Sequence, residues 1–261
     1  MINHKEIKMQ KLKNLKYLSV LTLLLVMVGT YSSTAMANLS VDAPDLGTAA
    51  SFVGLAGSTF TNTGSGVFVG NVGTFPGTSV VGFPPGTIRS GAIYMGGAVP
   101  EQAQIDASTA FFALKDQLCN VDLTGQDLGG MTLLPSVYCF DTSAQLTGDL
   151  VLDAGGNPLA VWVFQIGSTL TTASDSSVTV INGGKVLNAF WQVGSSATLG
   201  TRTWFIGNIL ADASISMNTG ASLVGRALAL NGAVTMDTNG VPIPIANTPL
   251  FEFLYLPLIM R

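Results

Sequence analysis

The sequence has few charged side chains and a single histidine. Charged residues make up 10 % of the 261-residue chain, against about 25 % in an average soluble protein. Lys and Arg total 11 against 15 Asp and Glu, a formal net charge of −4, so the basic patch that nucleic-acid binding requires is missing. The histidine is His4, near the N-terminus. Histidine-based catalysis and histidine-ligated zinc are therefore excluded for the rest of the chain.

Long apolar runs are also scarce, and the clearest one lies near the N-terminus. Several lysines precede an apolar run of 12 residues, Tyr17 to Val28, and Ala35-Met36-Ala37 offers the small residues of a signal-peptidase site. A helix that spans a membrane needs about 20 apolar residues, so a secretory signal is favoured over a membrane anchor. We expect residues 1–37 to be a signal peptide, and the protein to be secreted and extracellular.

The chain has only two cysteines, Cys119 and Cys139. In an oxidising compartment the simplest arrangement is one disulfide, and the alternative is two buried thiols. The disulfide would pin the segment after the predicted helix to the strand Val137 to Phe140. The sequence has no Cys-x-x-Cys motif, so a structural role is favoured over a redox role.

One segment has the apolar spacing of a helix. Pro100 and Glu101 suit a first turn, and they are followed by a stripe of apolar residues at spacings of three and four: Ala103, Ala107, Phe111, Leu114 and Leu118. The spacing predicts a helix over residues 100–118 that packs on a large apolar surface. Elsewhere short alternating runs are punctuated by glycine, which predicts a mostly β protein.

A four-residue pattern recurs along the β region. It places a large apolar residue after a hydroxyl residue, in Thr169-Leu170-Thr171-Thr172, Thr198-Leu199-Gly200-Thr201, Ser216-Met217-Asn218-Thr219 and Thr235-Met236-Asp237-Thr238, with weaker copies at Gln145-Leu146-Thr147-Gly148 and Thr59-Phe60-Thr61-Asn62. From Leu146 to Met236 the apolar positions are 24, 29, 18 and 19 residues apart. Such periods are typical of the rungs of a β-solenoid.

In a solenoid rung the apolar residues point into the core and their neighbours point outward. Stacked rungs would then align the Thr and Ser side chains in a flat grid with almost no charge. For any single threonine, β-propensity is the simpler explanation. The alignment of several rungs without Lys or Glu favours a functional surface whose partner is itself regular: ice, a crystalline polysaccharide or another copy of the chain.

Several longer segments resemble a known family. They include Leu46-Gly47-Thr48-Ala49-Ala50-Ser51-Phe52, Gly82-Phe83-Pro84-Pro85-Gly86-Thr87, Val163-Phe164-Gln165-Ile166-Gly167-Ser168 and Phe190-Trp191-Gln192-Val193-Gly194-Ser195-Ser196-Ala197-Thr198-Leu199-Gly200. From Asp45 to Asn239 the chain is similar to the secreted microbial ice-binding (antifreeze) proteins that have a discontinuous β-solenoid domain.

The resemblance implies a right-handed β-solenoid of triangular section with one long helix alongside, formed by residues 38–240. It implies that the N-terminal rung around Thr59 inserts between later rungs. It also implies that one flat face binds ice, and the positions that correspond are Thr59, Thr61, Thr147, Thr169, Thr171, Thr198, Gly200, Ser216, Asn218, Thr235 and Asp237. Because Gly200 has no methyl group, Asp237 is charged and Gln145 replaces a hydroxyl, we expect moderate activity.

Other functions are less well supported by the sequence. An enzyme would have to use carboxylates, and Asp149, Asp153, Asp175, Asp212 and Asp237 lie mostly beside Gly, Ala or Ser, where turns explain them. A polysaccharide-binding module would use aromatic platforms, but Trp162, Trp191 and Trp204 lie in apolar runs typical of a core. We expect no cofactor and no metal, and a monomer. The apolar, proline-rich tail, residues 241–261, is expected to pack along the solenoid or to cover an open end.

Overall fold

The computed structural model describes residues 41–239 and the backbone of residues 241–242. The predicted signal peptide and residues 243–261 lie outside the described residues. Within the described part the chain forms 22 strands, one α-helix (α1, Ala98–Lys115) and two short 3-10 helices, Gly47–Ser51 and Val186–Asn188. The first strands are β1 Phe52–Ala56, β2 Thr59–Asn62, β3 Val67–Val69, β4 Asn71–Thr74, β5 Ser79–Val81, β6 Thr87–Arg89, β7 Ile93–Met95, β8 Val121–Asp122, β9 Thr132–Leu133, β10 Val137–Phe140 and β11 Ala144–Leu146. They are followed by β12 Asp149–Asp153, β13 Trp162–Ile166, β14 Leu170–Thr172, β15 Ser177–Ile181, β16 Ala189–Val193, β17 Ala197–Leu199, β18 Trp204–Ala211, β19 Ile215–Met217, β20 Ser222–Ala229, β21 Val234–Met236 and β22 Val241–Pro242.

The strands stack as parallel ladders that enclose one core. One sheet has the order β7-β4-β1-β20-β18-β16-β13-β10-β8, and a second has the order β11-β14-β17-β19-β21-β2-β5. The third side is formed by the ladder β9-β12-β15, which reaches the start of β18, and by the ladder β22-β3-β6. The prediction of a mostly β solenoid of triangular section, with one helix, is therefore confirmed.

The order of the rungs differs from the chain order at one point. The three N-terminal strands pair with the three C-terminal strands: β1 with β20, β2 with β21 and β3 with β22. Their other edges pair with β4, β5 and β6. The N-terminal strands therefore extend the stack beyond its C-terminal rung. The rung around Thr59 thus lies between the rung of β20–β22 and the rung of β4–β6, both of which come later in the chain, and this expectation is confirmed.

Helix α1 packs along the nine-stranded ladder. It begins two residues before Pro100 and buries Ala103, Ala107, Phe111 and Leu114 against outward apolar residues of the sheet, such as Phe190. The predicted helix and its packing are thus confirmed. The predicted end at residue 118 was wrong: the helix ends at Lys115, and Leu118 is 73 % exposed.

Aromatic rings stack inside the solenoid from rung to rung. The ring centroids of Tyr138 and Phe164 are 5.5 Å apart, those of Phe164 and Trp191 3.9 Å, and those of Trp191 and Phe205 4.7 Å. The indole nitrogen of Trp191 donates a hydrogen bond to the carbonyl oxygen of Ile206. Tyr138, Phe164 and Trp191 are register partners, because parallel strands place equivalent side chains above one another. Phe205 reaches this stack from the start of β18, which pairs with β15.

A buried arginine ties the N-terminal segment to the sheet. The guanidinium of Arg226 donates two hydrogen bonds to the carbonyl oxygen of Ala50, at 2.9 and 2.7 Å, and one to Oδ1 of Asn208 at 2.7 Å. Burial lowers the pKa of Arg226 to about 10. Removing this side chain would leave buried acceptors without donors, at a cost of about 1–3 kcal/mol for each.

The two cysteines form the expected disulfide. Cys119, four residues after the end of α1, is bonded to Cys139 on β10. The bond holds the segment that leads into β8 against the strand next to it in the sheet. The predicted structural link between the region after the helix and the strand Val137–Phe140 is confirmed.

Candidate functional site

The three sides of the solenoid present different surfaces. The side under α1 is covered by the helix. The side of β12 and β15 carries charge: Asp149 and Asp153 lie on β12, and an exposed ion pair joins Arg202 to Asp175 at 2.6 Å in the neighbouring turns. The remaining side is the outer surface of the seven-stranded sheet, which we call the hydroxyl face.

Parallel pairing aligns one column of outward side chains along the middle of the hydroxyl face. Each strand contributes one residue to this column. In stacking order these are Gln145, Thr171, Thr198, Ser216, Thr235, Thr61 and Val81. Thr171 and Thr235 are exposed, and Thr61, Thr198 and Ser216 are half-buried. The column is uncharged, and its five central members all carry a hydroxyl group.

Two further columns flank the middle one. The residues two positions before each member of the middle column are Ser143, Thr169, Ser196, Ser214, Ala233, Thr59 and Ser79. Those two positions after its first six members are Thr147, Ala173, Gly200, Asn218, Asp237 and Thr63. With strands about 4.8 Å apart and columns about 6.6 Å apart, the face measures roughly 29 Å by 13 Å. Asp237 is the single charged member of the three columns.

Some hydroxyl groups of the hydroxyl face donate hydrogen bonds to neighbouring side chains of the protein. The Thr169 hydroxyl donates to Oγ of Ser143 at 2.8 Å. At the edge of the sheet, the Thr147 hydroxyl donates to the carboxylate of Asp127 at 2.7 Å. Partial burial opposes ionisation of Asp127, but the hydrogen bonds from Thr147 and Gly129 outweigh it and hold the pKa of this carboxyl below its ordinary value. These contacts fix the side chains in one orientation.

The residues that the sequence selected all lie on the strands of this sheet or directly beside them. Thr59 and Thr169 belong to the first column, Thr61, Thr171, Thr198, Ser216 and Thr235 to the middle one, and Thr147, Gly200, Asn218 and Asp237 to the third. Gly200 differs from the others because it is buried. A Cβ atom there would lie 2.6 Å from the backbone of Ala173, so its place in the structure is one of close chain packing.

Asp237 is held by its surroundings. Its carboxylate accepts hydrogen bonds from three hydroxyl groups, those of Thr219, Thr238 and Thr63. These bonds hold the pKa of Asp237 below its ordinary value. The charge therefore stays in place at neutral pH, but most of its hydrogen-bonding capacity is taken up by the protein.

The register of the sheet differs from the alignment of the sequence repeats. Thr171 pairs with Thr198, so Leu170 lies beside Ala197 and not beside Leu199. Likewise Thr61 pairs with Thr235. The repeats at Thr169 and Thr59 are therefore shifted by two residues relative to the others. Sequence reasoning missed Ser143, Ser196, Ser214 and Ser79, although their position two residues before the middle column would have identified them.

The carboxylates that an enzyme would need accept hydrogen bonds from neighbouring groups of the protein. Asp149 accepts a hydrogen bond from Ser177, and Asp212 accepts one from Asn231. The backbone of Gly155 and the side chain of Asn182 lower the pKa of Asp153, and Arg202 lowers that of Asp175. A general acid in glycoside hydrolysis needs the opposite, a raised pKa.

The tryptophans form no aromatic platform on the hydroxyl face. Trp162 and Trp191 are fully buried, which confirms their predicted place in the core. Trp204 is half-exposed, but it pairs with Ser177 of β15 and so lies on the charged side of the solenoid.

Within residues 41–242, no helix has the length and apolar character needed to cross a membrane.

Comparison with known proteins agrees with this geometry. The family model described as ice-binding-like matches residues 54–242. An ice-binding protein from Nostoc sp. (strain HG1) is 57 % identical over 197 residues, which cover 75 % of this chain and 72 % of that protein. An ice-binding protein from Flavobacterium frigoris (strain PS1) is 30 % identical over 82 % of this chain and 81 % of its own length.

Solved structures show the same fold. The ice-binding protein from the Antarctic ascomycete Antarctomyces psychrotrophicus superposes with a TM-score of 0.75 at 42 % identity, over 78 % of this chain and all of that chain (100 %). A second ice-binding protein, from an Antarctic biological consortium, superposes with a TM-score of 0.74 at 43 % identity, over 78 % of this chain and 94 % of the other. Since the family model also matches most of its length, the chain belongs to the ice-binding-like family.

Proposed function

We propose that the hydroxyl face binds ice and thereby inhibits ice growth and recrystallisation. The observation that carries the proposal is the middle column, in which five hydroxyl side chains from five adjacent strands lie in register without a charge among them. The ice-binding proteins among its relatives, one of them 57 % identical, support the same function.

The chemistry of threonine suits this surface. Its methyl group orders nearby water and its hydroxyl group holds a water molecule by a hydrogen bond, whereas a charged side chain resists dehydration. Rigid strands keep these groups at regular intervals, so little conformational entropy is lost when an ordered water layer forms on them. Such a layer can join the lattice of an ice crystal.

Adsorption then acts on the crystal without any covalent step. Once proteins are fixed to the surface, ice can grow only between them, and each growing front becomes curved. A curved front has a higher free energy than a flat one, so growth stops until the temperature falls further. The expected results are thermal hysteresis, a gap between melting and freezing points, and slower recrystallisation.

The sharpest test places one bulky side chain on the face. We expect Thr171→Tyr and Thr198→Tyr to lose most of the thermal hysteresis at equal protein concentration, because a ring in the middle column keeps the ordered water layer away from its neighbours. Nanolitre osmometry on single ice crystals measures the gap. Circular dichroism and the melting temperature establish that both variants are folded.

The matched control is Thr179→Tyr. Thr179 is also an exposed threonine in the middle of a strand, but it lies on β15, on the charged side of the solenoid. The thermal hysteresis of the Thr179→Tyr variant should equal that of the unaltered protein. Equal activity in folded Thr171→Tyr and Thr179→Tyr variants would contradict the proposal, and binding to chitin or cellulose by the unaltered protein, without an effect on ice, would replace it with the polysaccharide alternative.

The setting in which the face acts is also proposed. Residues 1–37 would direct secretion, and the protein would act outside the cell as a monomer, without catalysis, cofactor or metal. The lysines ahead of the apolar run and the disulfide between Cys119 and Cys139 support an extracellular location. Sequencing of the exported product should find Asn38 as its first residue.

A further inference from the structure

One end of the solenoid leaves its core uncovered. This open end is the rung formed by β5, β6 and β7. Met95 and Ile93 continue the interior columns of Thr74 and Val72. Thr74 and Val72 are fully buried, but Met95 is 61 % exposed and Ile93 39 % exposed. The interior columns therefore end in apolar side chains that contact solvent.

The other two sides of the same rung show the same loss of cover. Val80 continues the column of Phe60, and Ile88 continues the column of Phe68. Both phenylalanines are fully buried, whereas Val80 and Ile88 are only partly buried. Exposed apolar groups in one contiguous patch are typical of a surface that has a partner.

Polar groups near this end also have incomplete hydrogen bonding. Among the described residues, two buried side-chain oxygens have no hydrogen-bond partner: Oδ1 of Asn62 and Oγ1 of Thr74. Asn62 lies on β2 and Thr74 on β4, the strands next to β5 and β7. Buried polar atoms are seldom left unsatisfied in a complete structure.

The backbone of the open end is available as well. β5, β6 and β7 are each the last strand of their ladder within the described residues. Exposed parallel edges invite further strand pairing, and natural proteins usually cover them. The opposite end is covered in part: Leu123 and Leu128 are buried and the disulfide closes the loop beside them, although Val121, which continues the interior column of Tyr138, is 39 % exposed.

We infer that the C-terminal tail, residues 243–261, covers the open end. The described chain ends at Pro242 on β22, which pairs with β3, and β3 pairs with β6. The tail therefore starts two strand spacings, roughly 10 Å, from the open end. Nineteen residues can extend about 60 Å, which is enough to reach it and to cross it.

The composition of the tail fits that surface. It contains Phe251, Phe253, Leu254, Leu256 and Leu258 among other apolar residues, and its only charged residues are Glu252 and Arg261. Three prolines, Pro244, Pro249 and Pro257, limit its ability to act as a template for further strands. A segment of this kind can bury the apolar end and stop the growth of the sheet at the same time.

The test is photo-cross-linking in the full-length chain. A benzophenone amino acid replaces Met95, and the control places it at Leu118, which is 73 % exposed and lies beyond the other end of α1. A mixture of nitrogen-15-labelled and unlabelled protein separates cross-links within one chain from cross-links between chains. Mass spectrometry of the digested products then identifies the residues joined.

The inference expects cross-links from position 95 to residues 243–261 of the same chain, severalfold more abundant than those from position 118. Cross-links that join labelled to unlabelled chains would assign the open end to a second copy and overturn it. The absence of tail cross-links at position 95 would also overturn it. Neither outcome bears on ice binding, since the experiment measures no property of the hydroxyl face.

Discussion

At the scale of single residues, neighbouring side chains decide which positions of the hydroxyl face can touch a partner. Thr171 and Thr235 have exposed side chains, whereas the hydroxyl of Thr147 is bound to Asp127. Asp237 is surrounded by hydroxyl donors. Gly200 has no room for a side chain at all. The contact surface that we propose therefore consists mainly of the middle column, and Gly200 serves to bring two rungs together.

A substitution at Gly200 separates packing from recognition. In Gly200→Ala the new methyl group would lie 2.6 Å from the backbone of Ala173, and overpacking of this kind costs about 1–3 kcal/mol. We expect a lower free energy of unfolding, measured by chemical denaturation. Thermal hysteresis per folded molecule should stay unchanged, because no side chain of the middle column is altered.

Ala173→Ser is the matched control for that variant. Ala173 is exposed in the same outer column, so the added hydroxyl group meets no backbone and stability should hardly change. If Gly200→Ala proved as stable as the control, the close approach of the two rungs would not be a constraint on this position.

At the scale of elements, the sequence predicted which side each residue faces better than it predicted which residues are neighbours. Side chains alternate with a period of two, so the two-residue shift at Thr169 and Thr59 left every outward residue on the outward side. In the true register, the middle-column residues from Gln145 to Thr235 are 26, 27, 18 and 19 positions apart. These spacings are irregular because the turns between the strands differ in length. The spacing of a repeat gives only the sum of strand and turn lengths, so it does not show where each strand begins.

The helix and the order of the rungs show the same limit. The apolar stripe from Ala103 to Leu114 identified α1, but Leu118 matched the spacing without belonging to the helix. The pairing of β1 with β20 joins residues more than 170 positions apart. Local patterns of apolar and polar residues contain no information about such distant pairing, so the family resemblance implied it and the spacing did not.

The disulfide offers a prediction at this scale. Cys119 and Cys139 close a loop of 20 residues, for which the chain-entropy model gives about 3 kcal/mol. We expect Cys119→Ala/Cys139→Ala to melt roughly 6–12 °C lower than the unaltered protein. Differential scanning calorimetry measures the shift.

Ice binding should be unaffected in that double variant at temperatures where it is folded, since neither cysteine lies on the seven-stranded sheet. The same lower melting temperature should follow reduction of the unaltered protein. A large loss of thermal hysteresis from the folded variant would instead mean that the disulfide sets the geometry of the hydroxyl face.

At the scale of the whole molecule, carboxyl groups account for the dependence of stability on pH below neutrality. The groups whose pKa is lowered by hydrogen bonds or ion pairs are all carboxyls, among them Asp153, Asp175 and Asp237. A carboxyl with a lowered folded-state pKa stabilises the fold above its unfolded pKa, and that stabilisation is lost as the pH falls through the folded value. On the acid side, the range in which stability changes is therefore below about pH 4.

We expect the melting temperature of the protein to be constant between about pH 5 and pH 8 and to fall below about pH 4, because residues 41–242 contain no histidine. Calorimetry across a pH series checks this, and thermal hysteresis should be equally constant above pH 5. Asp237→Asn removes one of the carboxyls, so its melting temperature should fall less steeply with acid. A change of stability centred near pH 6.5 would require a titrating group that the described part of the chain does not contain, and would contradict this account of its electrostatics.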